Sequence, residues 1–408
     1  MADSHAENLA EYIIIHYRWV IVITILLPLS LVWKIWSTLR NFVVFKLNSA
    51  PKMHDKKVNG VQKQVLKWIK DGKSSMLCTA RPTWQTMSFR QATYKNKYTN
   101  IKINLTVRCE PLVTMGQLSR TLEPLGLALA VVPELDQLTV GGLVMGTGIE
   151  SSSHIHGLFQ HICVEYELVL ADGSVVRCIP WSYGTLGLLT SAVIKVVPAK
   201  SFVRLEYHSM TNLDELVKRF SEESQKDKPH QFVECLLYTL NSGVLMLGDM
   251  VNDVGDDGKL NNIGDWRSEW FYKLVGKKLP NSNVTVEYIP LRDYYHRHTR
   301  SLFWELQDII PFGNTPLFRH TFGWLMPPEV SLLKLTQPDA VIPSTRRVEE
   351  FVIKNSGFQM LYADTYTTRD EFRQMFDHSL YDKLRDELKF CKNAFPEIYG
   401  KVNRAVRK

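Results

Sequence analysis

LTVGGLVMGTGIESSSHIHG, residues 138–157, is the stretch on which the reading of this chain turns. Gly141, Gly142, Gly146, Gly148 and Gly157 fall inside it. Glycine lets the backbone take φ > 0 and approach a ligand closely. Successive main-chain N–H groups can then form a nest that neutralises a pyrophosphate. Ser151, Ser152 and Ser153 add short hydroxyl donors. A glycine-rich turn between two strands reads the same way. The spacing is not G-x-G-x-x-G, and without Gly-Lys-Ser/Thr it is not a P-loop.

Working outward, YELVLADGSVVRC (Tyr166–Cys178) reads as a hairpin turned at Asp172-Gly173. GTLGLLTSAVIKVVPAK (Gly184–Lys200) adds a glycine turn and a β-branched strand closed by Pro198. Upstream, residues 55–71 set Val58, Val61, Val65, Leu66 and Ile69 at helical spacing. MLCT and NIKINLTVRCEPLVT read as strands, and Met115–Leu125 as an amphipathic helix ending at Gly126. Residues 55–200 thus form one α+β unit. A second region, 201–347, opens with a strand at Val203–Tyr207, a helix at Leu213–Glu223 and an extended pair over Phe232–Asp249. From Trp266 to about Leu335 it is crowded with aromatic residues, fitting a pocket wall, a membrane-facing lid or an ordinary core. Within this run HRHTR, His296–Arg300, concentrates ionisable groups that could bind phosphate, supply a proton or form a solvated loop face. The last piece, 348–408, reads as a short strand at Met360–Ala363 and helices at Arg369–Phe376 and Leu380–Leu388.

With 45% apolar and 22% charged residues, the 408-residue chain is not largely disordered. The net charge of +7 is spread out, and no stacking module marks a nucleic-acid partner. Six cysteines without a CxxC pair suit free thiols better than disulfides or zinc. No histidine spacing matches a metal motif, so no metal is expected. From Trp19 to Trp33 there is no charged side chain. Extended back through Tyr12–Ile15, the run approaches the roughly 20 residues of a membrane span. Lys34, Arg40, Lys46, Lys52, Lys56 and Lys57 follow it, which places the body in the cytosol and residues 1–11 in the lumen.

Residues 138–178, together with CEPLVTMGQL, PWSYGTLG, IPLRDYYHRHTRSLFWELQDIIPFGN and GFQMLYAD, closely resemble the delta(24)-sterol reductases. These belong to the FAD-binding PCMH-type family that also holds vanillyl-alcohol oxidase. The resemblance implies an α+β, two-subdomain FAD-binding PCMH-type fold with an inserted cap domain, preceded by a single transmembrane helix. The expected divisions are a helix at 12–36, the FAD domain at 55–200, the cap at 201–347 and a C-terminal segment at 348–408 packing on the FAD domain. The family's FAD segment maps onto Thr139, Val140, Gly141, Gly142, Leu143, Val144, Met145, Gly146, Thr147, Gly148, Ile149, Glu150 and Ser151. It further implies NADPH as reductant, a sterol Δ24 double bond as acceptor and single-pass residence in the endoplasmic reticulum membrane, with the Golgi as the alternative. An isolated alkene needs hydride and proton delivered in a dry pocket. Tyr294, Tyr295, His296 and His298 are the candidate proton donors.

Against that family the chain is shortened near Leu105, near Cys178 and most of all around Gln337–Arg347. Ala80 and Thr83 stand where the family tends to have glycine. The alternative reading is therefore a splice-type or partial variant that binds sterol or acts as a scaffold without turnover.

Overall fold

The computed structural model describes residues 17–48, 53–73, 75–80, 99–101, 109–176, 182–280, 283–326, 341–361 and 364–406. The expected features at 1–11, Tyr12–Ile15, Thr83, the shortened junctions near 105 and 178, and Tyr362-Ala363 lie outside these residues.

The chain opens with one helical rod: Arg18–Ile21, a π turn at Val22–Leu26, then Leu27–Asn48. It therefore runs twelve residues past the expected end at Trp36, because Lys34, Arg40 and Lys46 are compatible with continued helix. Helix His54–Lys70 buries Val58, Val61, Val65 and Trp68. Leu66, expected on the same face, is largely exposed, but its tip caps Gly173.

Four sheets follow. β1 (Leu77–Thr79) and β2 (Thr99–Ile101) pair in parallel. β3 (Leu127–Leu129) pairs with β7 (Val196–Pro198). β4 (Cys163–Val169) lies between β5 (Val175–Val176) and β6 (Leu188–Ile194). The last sheet has the order β11-β12-β8-β10-β9, with β8 at Phe202–Met210, β9 at Phe232–Leu237, β10 at Gly243–Val251, β11 at Lys259–Leu260 and β12 at Thr285–Pro290. Along β10, Val244 and Met246 enter the main core while Leu245 and Leu247 face a separate cluster with Val233, as the two-residue strand period requires.

The β4–β5 turn is where the hairpin cue placed it. Gly173 has φ +85°, and a Cβ there would approach Leu66 to 3.1 Å, so the turn docks beneath helix 54–70. Gln62 on that helix donates to the Gly173 carbonyl at 2.8 Å. The same core takes Cys391, Ala394 and Phe395 from the C-terminal piece, alongside Val169, Leu170 and Ala171. Arg385 donates to the Thr185 carbonyl at 3.0 Å. Met360 and Leu361 are not strand; Leu361 is instead buried against Phe372, Ile398 and Val402. All five cysteines among the described residues are free thiols. Among those residues there is no cluster able to hold a metal.

A buried polar cluster ties helix 54–70 to the β4 sheet. His54 stands 3.4 Å from Glu110 and 3.0 Å from Glu167, and Lys57 lies 3.8 Å from Glu110. Burial pushes the Glu110 carboxyl up to about 7, against the opposing charge of Lys57 and the hydrogen bond of His54. The folded value exceeds that of an unfolded glutamate, so the folded chain keeps a proton that the unfolded chain loses. This contribution to stability is complete below about pH 4.3 and is lost as the pH rises through about 7. Glu110→Gln should therefore leave thermal stability at pH 4 unchanged and raise it at pH 8, by roughly 1–3 kcal/mol, in paired melting curves. A second pair of variants tests the packing. A Cβ on Gly141 would sit 2.9 Å from the Pro111 carbonyl oxygen, whereas one on Gly60 meets nothing within 4 Å. Gly141→Ala should cost roughly 1–3 kcal/mol by overpacking, while Gly60→Ala should gain up to about 1 kcal/mol of helix stability.

Candidate functional site

The glycine stretch folds as a short helix, Val140–Gly146, rather than as a nest. Thr139 caps it by accepting from the Gly142 amide at 3.3 Å. The Val140 amide donates to the Val113 carbonyl at 2.9 Å, and that of Gly141 to the Pro111 carbonyl at 2.8 Å. The first-turn donors are thus taken by the chain itself, through the CEPLV loop laid against them. Gly141 is required by that close approach.

Open backbone comes one turn later. Thr147 has φ 139°, breaking the helix, and a Cβ on Gly146 would meet nothing nearer than Tyr183 at 3.9 Å. Among the described residues the amides of Gly148 and Ile149 have no acceptor. The main-chain donors open to a diphosphate in this stretch are those of Gly148 and Ile149. Beside the stretch opens a cavity of about 610 Å³ lined by Ala130, Ile155, His156, His161, Ile162 and Lys195 among others. Lys195 brings a cation to this lining, which holds no carboxylate, whereas burial and the neighbouring His154 lower His156 and keep it neutral.

The stretch ends in a buried charged network. The Ser151 amide and hydroxyl both donate to Glu150 Oε1 at 2.8 Å. Arg297, also buried, reaches the same oxygen at 2.6 Å through Nη2 and reaches Glu234 Oε2 on β9 at 2.9 Å through Nε. His298, fully buried, contacts the other Glu234 oxygen at 3.2 Å. Burial alone would raise the Glu234 carboxyl, but Arg297 and His298 outweigh it and hold it at about 2. Glu134 takes the opposite course: burial first, then the adjacent Glu150, push it well above the carboxylate range. Glu134 therefore stays protonated beside Glu150. Arg297 lies inside the HRHTR cluster the sequence marks, whereas Glu234 does not stand out in it; the available cue is one acidic residue inside the apolar strand FVECLL.

The four proton-donor candidates divide between two places. Tyr294 is buried, with its hydroxyl 3.3 Å from Ser151 Oγ and its ring 4.5 Å beneath the Arg297 guanidinium. Burial raises its phenol, against the pull of Arg297, so it stays protonated. His298 serves Glu234, its ring stacked on Phe303 at 4.1 Å. Tyr295 and His296 point the other way, toward helix Met115–Leu122. His296 bonds Ser119 at 3.0 Å, lies 3.8 Å from Asp136, and is lowered to about 4 by burial despite that carboxylate. Thr299 accepts from the Asp136 amide at 2.9 Å, and Arg300 donates to the carbonyls of Ile263, Trp266 and Ser268. HRHTR is a clasp joining the glycine segment, β9, the 110–136 region and the 263–268 loop.

Residues 92–179 match the FAD binding domain family. Over 97% of its length this chain is 44% identical to the Delta(24)-sterol reductase of Homo sapiens, covering 95% of that protein. It is 37% identical to the Delta(24)-sterol reductase homolog of Caenorhabditis elegans, over 98% of this chain and 97% of the other. To the Delta(24)-sterol reductase of Arabidopsis thaliana it is 41% identical over 80% of its own length and 64% of the plant protein's. The human alignment extends over 495 positions, of which 97% of a 408-residue chain fills roughly 400. Roughly a hundred positions of that relative thus have no counterpart here. With its mixed sheets and helices around a PCMH-type FAD-binding domain, the chain belongs to the delta(24)-sterol reductase family.

Proposed function

We propose that the chain is an FAD-dependent oxidoreductase that saturates the Δ24 double bond of a sterol side chain, with NADPH as the electron source, at the endoplasmic reticulum membrane. The observation that carries this reading is the continuity of the site. The open amides of Gly148 and Ile149 run directly into Glu150 and Ser151, and Ser151 meets a protonated phenol, Tyr294. When bound, the flavin supplies a two-electron hydride carrier. The chain's own residues do the rest. Gly148 and Ile149 offer amides to its diphosphate, and the cavity with His156, His161 and Lys195 suits the phosphates of a dinucleotide. Tyr294 holds the proton that the second alkene carbon requires, and Ser151, whose hydroxyl donates to Glu150 Oε1, links the phenol to the carboxylates that reprotonate it. Arg297, over the Tyr294 ring, favours the phenolate left behind, and the protonated Glu134 beside Glu150 is a proton reserve for the same network. His298 and Glu234 position Arg297. A sterol partitions into the bilayer, which accounts for an apolar helix on the enzyme that uses it.

The roughly hundred unmatched positions favour a second reading, a sterol-binding or scaffold protein without turnover. Detergent-extracted chain should carry a flavin absorption band and convert a Δ24-unsaturated sterol with NADPH. Sterol binding without product would sustain the second reading and end the first. Tyr294→Phe should lower kcat by about 10²-fold or more with the flavin band retained; an unchanged kcat removes Tyr294 from the mechanism. Arg297→Met leaves Glu150 and Glu234 buried without their cation, so the melting temperature should fall by the equivalent of about 3–5 kcal/mol.

A further inference from the structure

Arg319 carries a charge that the folded chain does not answer. It sits on the short helix Pro316–Phe322, which Thr315 caps by accepting from the Phe318 amide at 3.4 Å. The residue is only 9% exposed, and its Nε and Nη1 are sealed from water without an acceptor. Nη2 is the guanidinium nitrogen left toward the surface. Among the described residues no carboxylate pairs with Arg319. A guanidinium in that position has given up its water and gained no bond in exchange, which is costly.

The neighbouring charge has the same sign. Arg300 and the end of helix 316–322 converge on the 266–268 loop. Arg300 donates to the Trp266 and Ser268 carbonyls at 2.8 and 2.6 Å, and a Cβ on Gly323 would sit 2.9 Å from the same Trp266 oxygen. Arg300 is held down to about 10, by burial first and then by Arg319. The two carboxylates that act on Arg300 are engaged elsewhere: Asp265 accepts from Arg267 at 2.7 Å, and Asp293 from the Gly264 amide at 3.2 Å. Two guanidiniums without a matching carboxylate favour an anion of more than one charge. The planar fork narrows the choice further. An oxyanion that reaches Nη2 also meets Nη1 or Nε on the same edge, which suits a tetrahedral phosphate. Arg300, whose Nη donors are spent on carbonyls, adds charge to that site and not bonds. Leu317, Phe322 and Trp324 stand exposed nearby on the same segment, an apolar flank to the charged spot.

We propose that Arg319, with Arg300 behind it, binds a phosphomonoester, carried either by a phospholipid headgroup or by a soluble molecule. The site uses none of the residues placed at the flavin amides or at the Tyr294 proton, so it adds to the reading above without depending on turnover.

Inorganic phosphate is the first probe. The full chain in detergent is melted in chloride and in phosphate at matched ionic strength, at about pH 8, where phosphate is largely dianionic. Phosphate should raise the melting temperature saturably, by about 2–4 °C. Arg319→Met should abolish that rise and, in chloride, melt no lower than the parent chain, because a buried charge without a partner has been removed. No rise in the parent chain, or an undiminished rise in Arg319→Met, overturns the proposal. A variant that melts lower in chloride or fails to fold overturns it as well, since the guanidinium then already has its partner within the protein. Nanodiscs of phosphatidic acid or phosphatidylcholine, set beside adenosine 2′-monophosphate in detergent, separate the two sources. A rise that requires phosphatidic acid marks a lipid headgroup; one produced by the nucleotide marks a soluble ligand. The flavin absorption band, recorded on the same samples, reports on the catalytic reading separately.

Discussion

Arg297 is the point on which the two halves of the molecule are registered. Its guanidinium has almost no contact with water, yet it keeps its charge because Glu150 and Glu234 outweigh the effect of burial. Moving one such ion out of water costs several kcal/mol, recovered only when its partners are correctly placed. One partner belongs to the glycine segment and the other to β9 of the larger sheet. Apolar packing tolerates small slips; a guanidinium held between two carboxylates does not. The spacing between the glycine segment and the five-stranded sheet is therefore set electrostatically.

The neighbours of Arg297 extend this logic. His296, His298, Thr299 and Arg300 each face a different segment, so five consecutive residues fix several loops. The Val233 amide adds a main-chain bond to the Ser151 carbonyl at 2.9 Å. The clasp, the β8–β10–β9 sheet and the β4–β6 pair are all in place here, although the human relative has roughly a hundred more positions.

Elements whose stability is local could be read from the chain. Val58, Val61 and Val65 announced helix 54–70 by spacing, and Asp172-Gly173 announced the β4–β5 turn by the φ it needs. Helix Val140–Gly146 could not be read, since two adjacent glycines argue against helix. It exists because Thr139 caps it and the Pro111 and Val113 carbonyls accept its first amides. Met360 and Leu361 have strand-like character, but burial of Leu361 under Phe372 and Val402 needs no strand. Arg297 was hidden in a motif that looks solvated, its acceptors 147 and 63 residues away. The glycine segment was legible as a place; which of its amides stay open depended on a loop some thirty residues upstream.

The core beneath the β4–β5 turn has a consequence for synthesis. Val169, Leu170 and Ala171 close against Cys391, Ala394 and Phe395, near the other end of the chain. At about 5–20 residues per second, the ribosome needs roughly 10–45 s to make the intervening stretch. Throughout that interval the hairpin and helix 54–70 stand without part of their cover, while the apolar helix that precedes them has already emerged. The apolar helix thus leaves the ribosome well before this domain can close, and a nascent polypeptide halted short of Cys391 keeps that domain open to chaperones.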